Sequence, residues 1–289
     1  MATLALSAPI ARLRRRFAHA PWRALLEAAA RAGYLARGAV YLSIGTMALL
    51  AALDFTPRAE GAIGALESWG GWPAGFVLLW LVGLGLYGFA GWRALQSLFD
   101  ADRLGRSPRA IVGRIGQAIS GVAYAGLAIS VFGLLDAIED LGEADDQAAT
   151  REAVSQALTL PAGDLLVIGA GVFILGAGVA SFARAFLDHF GRDLECEDAT
   201  ADWLGGLARV GYAARGLALA PAGLLLVSAG LNTRASDARG LEGALNLLGQ
   251  GPFGEPVLAL TGVGLLAFGA FAIVEGWLRP IRMPRKPGT

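Results

Sequence analysis

One cysteine and two histidines in 289 residues leave this chain nearly without the side chains that form crosslinks or hold metals. Cys196 has no second cysteine to pair with, which excludes an internal disulfide. His19 and His189 are far apart and lie outside the apolar stretches, so haem or metal ligation inside a helical bundle lacks its usual ligands. Charge is scarce too, at 17% of residues against roughly 25% in an average soluble domain. The 24 basic and 24 acidic side chains cancel, so no charge excess points to nucleic acid or to an acidic substrate. No Ser/His/Asp spacing, phosphate loop or nucleotide fingerprint occurs; the expectation is a protein that is not an enzyme and carries no cofactor. Acids deep within helices, usual in proton-coupled transporters, are missing as well.

What fills the space is apolar. Hydrophobic residues make up 55% of the chain, and 41 glycines are about twice the ordinary share, which a membrane helix bundle tolerates because small residues let backbones approach. Six uncharged runs are bracketed by Arg37 and Asp54, Glu67 and Arg93, Arg114 and Asp136, Asp164 and Arg184, Arg215 and Arg234, and Glu255 and Glu275. A hydrocarbon core of about 30 Å takes roughly 20 helical residues, so four runs span directly while the first and fifth are slightly short. Helices are the natural form, since amides facing lipid must be paired within their own segment.

The runs belong to a repeat. Arg31-Ala-Gly33-Tyr34-Leu-Ala-Arg37-Gly38 recurs as Arg209-Val-Gly211-Tyr212-Ala-Ala-Arg215-Gly216, and more loosely as Arg114-Ile-Gly116-Gln117-Ala-Ile-Ser120-Gly121. Each opening leads through an apolar run and a polar loop to a Pro-x-Gly step (Pro73, Pro161, Pro252) and a second apolar run. Self-similarity at this spacing marks one structural unit used three times. The predicted fold is all-α: a polytopic membrane protein whose six transmembrane helices form three tandem hairpin repeats in a pseudo-threefold bundle. The predicted segments are an N-terminal basic and amphipathic stretch 1–27, hairpins 28–100, 111–190 and 207–279, and a tail 280–289. Small pairs such as Gly116 and Ser120, Gly121 and Ala125, and Gly216 and Ala220, with Gly85, Gly88 and Gly91, read as packing faces.

Basic residues set an expected orientation. Twenty Arg and Lys lie at the termini or between hairpins, against four (Arg58, Arg151, Arg234, Arg239) in the loops within hairpins. Such residues resist translocation, which puts both termini in the cytoplasm. The cluster Arg12, Arg14, Arg15 and Arg16 follows a weakly apolar start and is not expected to be cleaved. Trp22, Leu25, Leu26 and Ala29 share one helical face, predicting an amphipathic helix along the inner membrane surface. Ile63 and Leu66, then Val154, Ala157 and Leu158, then Leu241, Leu245 and Leu248 predict a short surface helix in each hairpin loop. The second loop is acidic and reads as solvated; it contains no calcium-loop pattern.

The candidate site is an inner-mouth polar cluster of Arg37, Arg215, Gln117, Ser120 and Glu275. Arg37 and Arg215 each sit six residues, about 9 Å of rise, inside the first Arg of their repeats. The first expectation is that both snorkel to the interface as topology anchors. The other reading turns them into the bundle to meet an anionic headgroup, a substrate or a carboxylate, with Glu275 nearest in depth. Gln117 and Ser120 replace Tyr and Arg in the middle repeat, which makes any central site asymmetric.

The three Arg-x-Gly openings and Pro-x-Gly returns, from about Ala28 to Leu278, resemble the bacterial membrane proteins of the domain of unknown function 1206 family. The resemblance implies three copies of a two-helix unit and an inner-membrane location, and no activity. Two functions are expected to compete: a structural or accessory membrane protein whose partners are lipids, anionic headgroups among them, and a small-solute channel or transporter with a path along the pseudo-threefold axis. Neither involves nucleic acid, and nothing in the residues specifies protein partners.

Overall fold

A computed structural model describes residues 22–72, 74–102, 105, 107–139, 146–188, 198–251 and 253–278. Among these residues every regular element is helical. Six helices are long and apolar enough to cross a membrane: α1 (Trp22–Ala52), α3 (Gly75–Phe99), α4 (Pro108–Glu139), α6 (Gly163–Leu187), α7 (Asp198–Leu231) and α9 (Gly254–Leu278). Three short helices, α2 (Ala62–Glu67), α5 (Asp146–Leu158) and α8 (Leu241–Gly249), occupy the hairpin loops where the spacing of apolar residues predicts them. The run Trp22 to Ala29 does not form a separate surface helix; it is the opening of α1, continuous to Ala52. The Arg12–Arg16 cluster, His19, His189, Cys196, residues 140–145 and the tail 280–289 lie outside the described residues.

The Pro-x-Gly glycines explain how each hairpin turns. A Cβ on Gly75, Gly163 or Gly254 would run into a carbonyl of the preceding segment, from Trp69, Ala157 and Gly249 respectively. Only a residue without a side chain lets the second helix start this close to the loop.

At the hairpin end the loops interlock. The Asp146 carboxylate accepts the backbone N–H groups of Ile63 and Gly64 at 3.0 Å each, satisfying open amides in the first turn of α2. The Asn246 amide pairs in both directions with the backbone of Ala59, at 2.9 and 3.0 Å. Thr150 of α5 packs against Gly240, ahead of α8.

At the opposite, terminal end the leading arginine of a repeat clasps its neighbour. Arg31 donates to the carbonyls of Gly276 and Trp277 at 2.8 and 2.7 Å, closing the last turn of α9. Arg114 does the same to Ser97 and Leu98 of α3, at 2.7 and 3.1 Å. A guanidinium there supplies donors to orphan carbonyls and opposes the negative end of the helix dipole.

Long-helix packing follows the order α6–α7–α9–α1–α3–α4. Glycines bring the backbones together: Gly38 on Gly269, Gly45 on Gly262, Gly216 on Gly178 and Gly223 on Gly171 across repeats, with Gly85 on Ala32 and Ala36, and Gly264 on Ala214, within them. Among the described residues five of the six interfaces of a closed ring are present; α4 and α6, the two long helices of the middle repeat, share no packed interface. Gly116 of α4 has no neighbour within 4 Å, while its counterparts Gly33 and Gly211 press on Phe89 and Phe268. Among the described residues the expected packing role of Gly116, and of Gly91, is therefore not realised.

The three repeats differ at the position of closest approach. At the same distance from Pro73, Pro161 and Pro252 stand Gly85, Phe173 and Gly264. A Cβ on either glycine would collide with the first helix of its own hairpin, and the middle repeat carries a phenylalanine at that place. A phenylalanine at that place cannot make the close backbone approach that α3 makes on α1 at Gly85.

Candidate functional site

The polar centre of the bundle is built on arginines about two turns inside the terminal end. Arg37 of α1 is 5% exposed and does not snorkel; its Nη2 donates to Oε2 of Glu275 on α9 at 3.0 Å. Its guanidinium lies against three rings, Tyr34 and Phe89 at 5.3 Å each and Phe268 at 5.1 Å. The rings replace part of the hydration that the cation gives up, through the attraction of positive charge to an aromatic face. The Nε of Arg37 is buried with no hydrogen-bond partner.

Arg215 of α7 also turns inward. Its Nε donates to the Tyr41 hydroxyl at 3.0 Å and its Nη1 to Ser181 Oγ of α6 at 2.9 Å. It faces the Phe268 ring at 5.2 Å, so Arg37 and Arg215 share one phenyl group. Snorkelling is overturned for both arginines because each finds rings and oxygens inside the bundle within reach of its own helix position.

Sequence reasoning missed a third cation. Arg93 of α3 packs on Phe89 at 4.9 Å, donates from Nη1 to Gln96 Oε1 at 3.1 Å, and leaves its Nε buried without a partner. Arg93 brackets an apolar run, which reads as a helix end, yet α3 continues to Phe99. The usable signal was depth, since Arg93 lies as far inside Phe99 as Arg37 lies inside Arg31. Tyr124 of α4 completes the centre, edge-on to Phe89 at 4.8 Å and within electrostatic reach of Arg37, Arg93 and Arg215.

Gln117 and Ser120 do not join the arginines through any described contact. Gln117 donates to Asp102 Oδ2 at 2.8 Å, sharing that oxygen with Gln96 Nε2, also at 2.8 Å. This small relay sits at the terminal end and links Arg93 to an acid through Gln96. Ser120 is half-buried on α4. Among the described residues three guanidiniums thus converge while a single carboxylate, Glu275, stands among them. Unbalanced cation in a low-dielectric interior is costly unless an anion or water reaches it, so the arrangement is chemically suited to holding an anionic group.

The buried hydroxyls of Ser43 and Thr261 offer no such chemistry. Ser43 and Thr261 hydrogen-bond the carbonyls of Ala39 and Val257 one turn back in their own helices, as Thr46 and Ser130 do with Leu42 and Gly126. An aromatic cleft of about 420 Å³, lined by Trp80, Phe132 and Asp136 among others, opens on the outside of α3 and α4 toward the hairpin end.

Fold and site together define a multi-pass helical membrane protein built from three tandem two-helix units. The chain belongs to the family described as Domain of Unknown Function (DUF1206), whose model matches it three times, over residues 32–100, 115–188 and 210–279. It is similar to a Bacillus subtilis (strain 168) protein described as "Uncharacterized protein YxxB", 27% identical over 261 residues that cover 89% of this chain and 91% of the relative. No solved structure matches it.

Proposed function

We propose that this protein is a non-enzymatic accessory component of the bacterial plasma membrane, closed to solutes, with both termini in the cytoplasm and membrane lipids as its partners. The observation that carries this reading is the filling of the interior at the depth of Arg37, where three aromatic rings and Glu275 surround the guanidinium. A solute path needs polar groups turned toward a shared space, and the hydroxyls of Ser43 and Thr261 are instead turned back on their own helices. The distribution of Arg and Lys supports the orientation through the positive-inside rule.

Reconstitution tests it against the channel reading. Proteoliposomes are expected to pass small anions and neutral solutes no faster than protein-free vesicles. In a Cys196→Ser background, Ser43→Cys and Thr261→Cys should resist a membrane-impermeant maleimide. Solute flux together with labelling at both positions would establish a channel and reject the accessory role.

A further inference from the structure

The opening between α4 and α6 has walls and a floor of different chemistry. Gly116 on α4 and Gly176 on α6 face unfilled space, although Gly33 and Gly88, at the same repeat positions in the first hairpin, press on Phe89 and Ala29. The unpartnered faces are apolar along their length, with Val112 and Val179, each one turn from its glycine, more than half exposed. Polar groups gather behind them, because α4 contributes Tyr124 and α6 contributes Ser181, which already holds Arg215. Arg215 and Arg93 are only half-buried, in contrast to Arg37. The Arg93 Nε has no partner, and the three guanidiniums exceed the carboxylate there by two charges.

A slot that is apolar along a helix and cationic at its floor matches one kind of molecule, an acyl chain carrying an anionic head. We propose that the α4–α6 opening is a binding site for an acidic phospholipid of the leaflet nearest the termini. Its phosphate accepts hydrogen bonds from Arg215 and Arg93, and one acyl chain lies between Gly116 and Gly176 in place of the missing helix contact. Charge complementarity decides among occupants: a neutral helix from a second copy would cover the apolar walls and leave the guanidiniums unbalanced. This inference rests on the reading that the bundle is closed to solutes and works within the membrane plane.

The test uses the full chain purified in dodecyl maltoside, with retained lipid identified by native mass spectrometry and thermal stability followed on adding lipid. Wild type should retain phosphatidylglycerol or cardiolipin and be stabilised by added phosphatidylglycerol but not by phosphatidylcholine. Arg93→Gln and Arg215→Lys should each weaken retention about tenfold, the effect of one charge-assisted hydrogen bond. The double variant Gly116→Leu with Gly176→Leu fills the slot without touching an arginine or a packed backbone, and should abolish retention in a chain that stays folded. Equal stabilisation by both lipids, or full retention by the slot-filled variant, would overturn the proposal. Stabilisation by inorganic phosphate alone would assign the arginines to a soluble anion, and a lipid-free dimer that the slot-filled variant breaks would assign the opening to a second copy. Any of these results with vesicles still impermeable removes the lipid site and leaves the accessory reading intact.

Discussion

Arg37 shows how one charged residue is made tolerable in an apolar bundle. It loses water on every side and regains a carboxylate and three ring faces. The pair is held from opposite ends of the chain, so it also ties the first repeat to the third. Glu275→Gln keeps the shape and removes the negative charge, leaving Arg37 among rings alone; it should cost about 3 kcal/mol, the scale found when a buried ion pair loses one member. Thermal unfolding in detergent would show this, with Glu275→Asp expected to fall between Gln and wild type. The partnership was within reach of the sequence, because Arg37 and Glu275 lie at matching depths. Arg93 was not, because an apolar run stops at the first charge whether or not the helix does. The rings were invisible for a different reason: Phe89 and Phe268 look like ordinary lipid-facing residues until their positions against Gly33 and Gly211 are known.

For the helices, the instructive comparison is among Gly85, Phe173 and Gly264. Two hairpins close on a glycine, and the third, whose helices stand apart, has a phenylalanine at that position. Gly264→Phe should force α9 away from α7, where even a Cβ would meet Ala214, at a cost of about 3 kcal/mol from overpacking. A lower melting temperature, with new proteolytic cutting between α7 and α9, is the expected readout. The short helices α2, α5 and α8 were legible because their apolar residues recur every three or four positions. The separation of α4 from α6 was not, because in a membrane a face covered by lipid and a face covered by another helix have nearly the same composition. The leading arginines were visible as repeat markers, but their role as clasps on α3 and α9 depends on which helix ends stand beside them.

Across the whole molecule, the six membrane-crossing helices and the three tandem repeats follow from run length and self-similarity, and the structure and family match agree with both. The pseudo-threefold arrangement is not seen complete: among the described residues its continuity is interrupted in the middle repeat, the copy whose opening already departs from the other two at Gln117 and Ser120. Orientation is open to direct measurement. An alkaline phosphatase fused after Thr289 should be inactive, and the same reporter placed after Arg58 should be active, if the cationic ends stay in the cytoplasm. The opposite pattern would reverse every assignment of sides.

Because α1 packs on α9 while α4 and α6 stand apart, the strongest boundaries of this molecule are not those of its repeats. Cut in the middle of its second hairpin, the chain becomes two trios, α1–α3–α4 and α6–α7–α9, each internally packed and joined at a seam between its first and last long helices. Two polypeptides, one ending at Glu139 and the other beginning at Asp146, should therefore co-purify when expressed together, held by the Arg37–Glu275 bond and the glycine contacts of α1 with α9. The peptide link most dispensable to assembly would then lie inside a repeat, where tandem duplication alone would put it last.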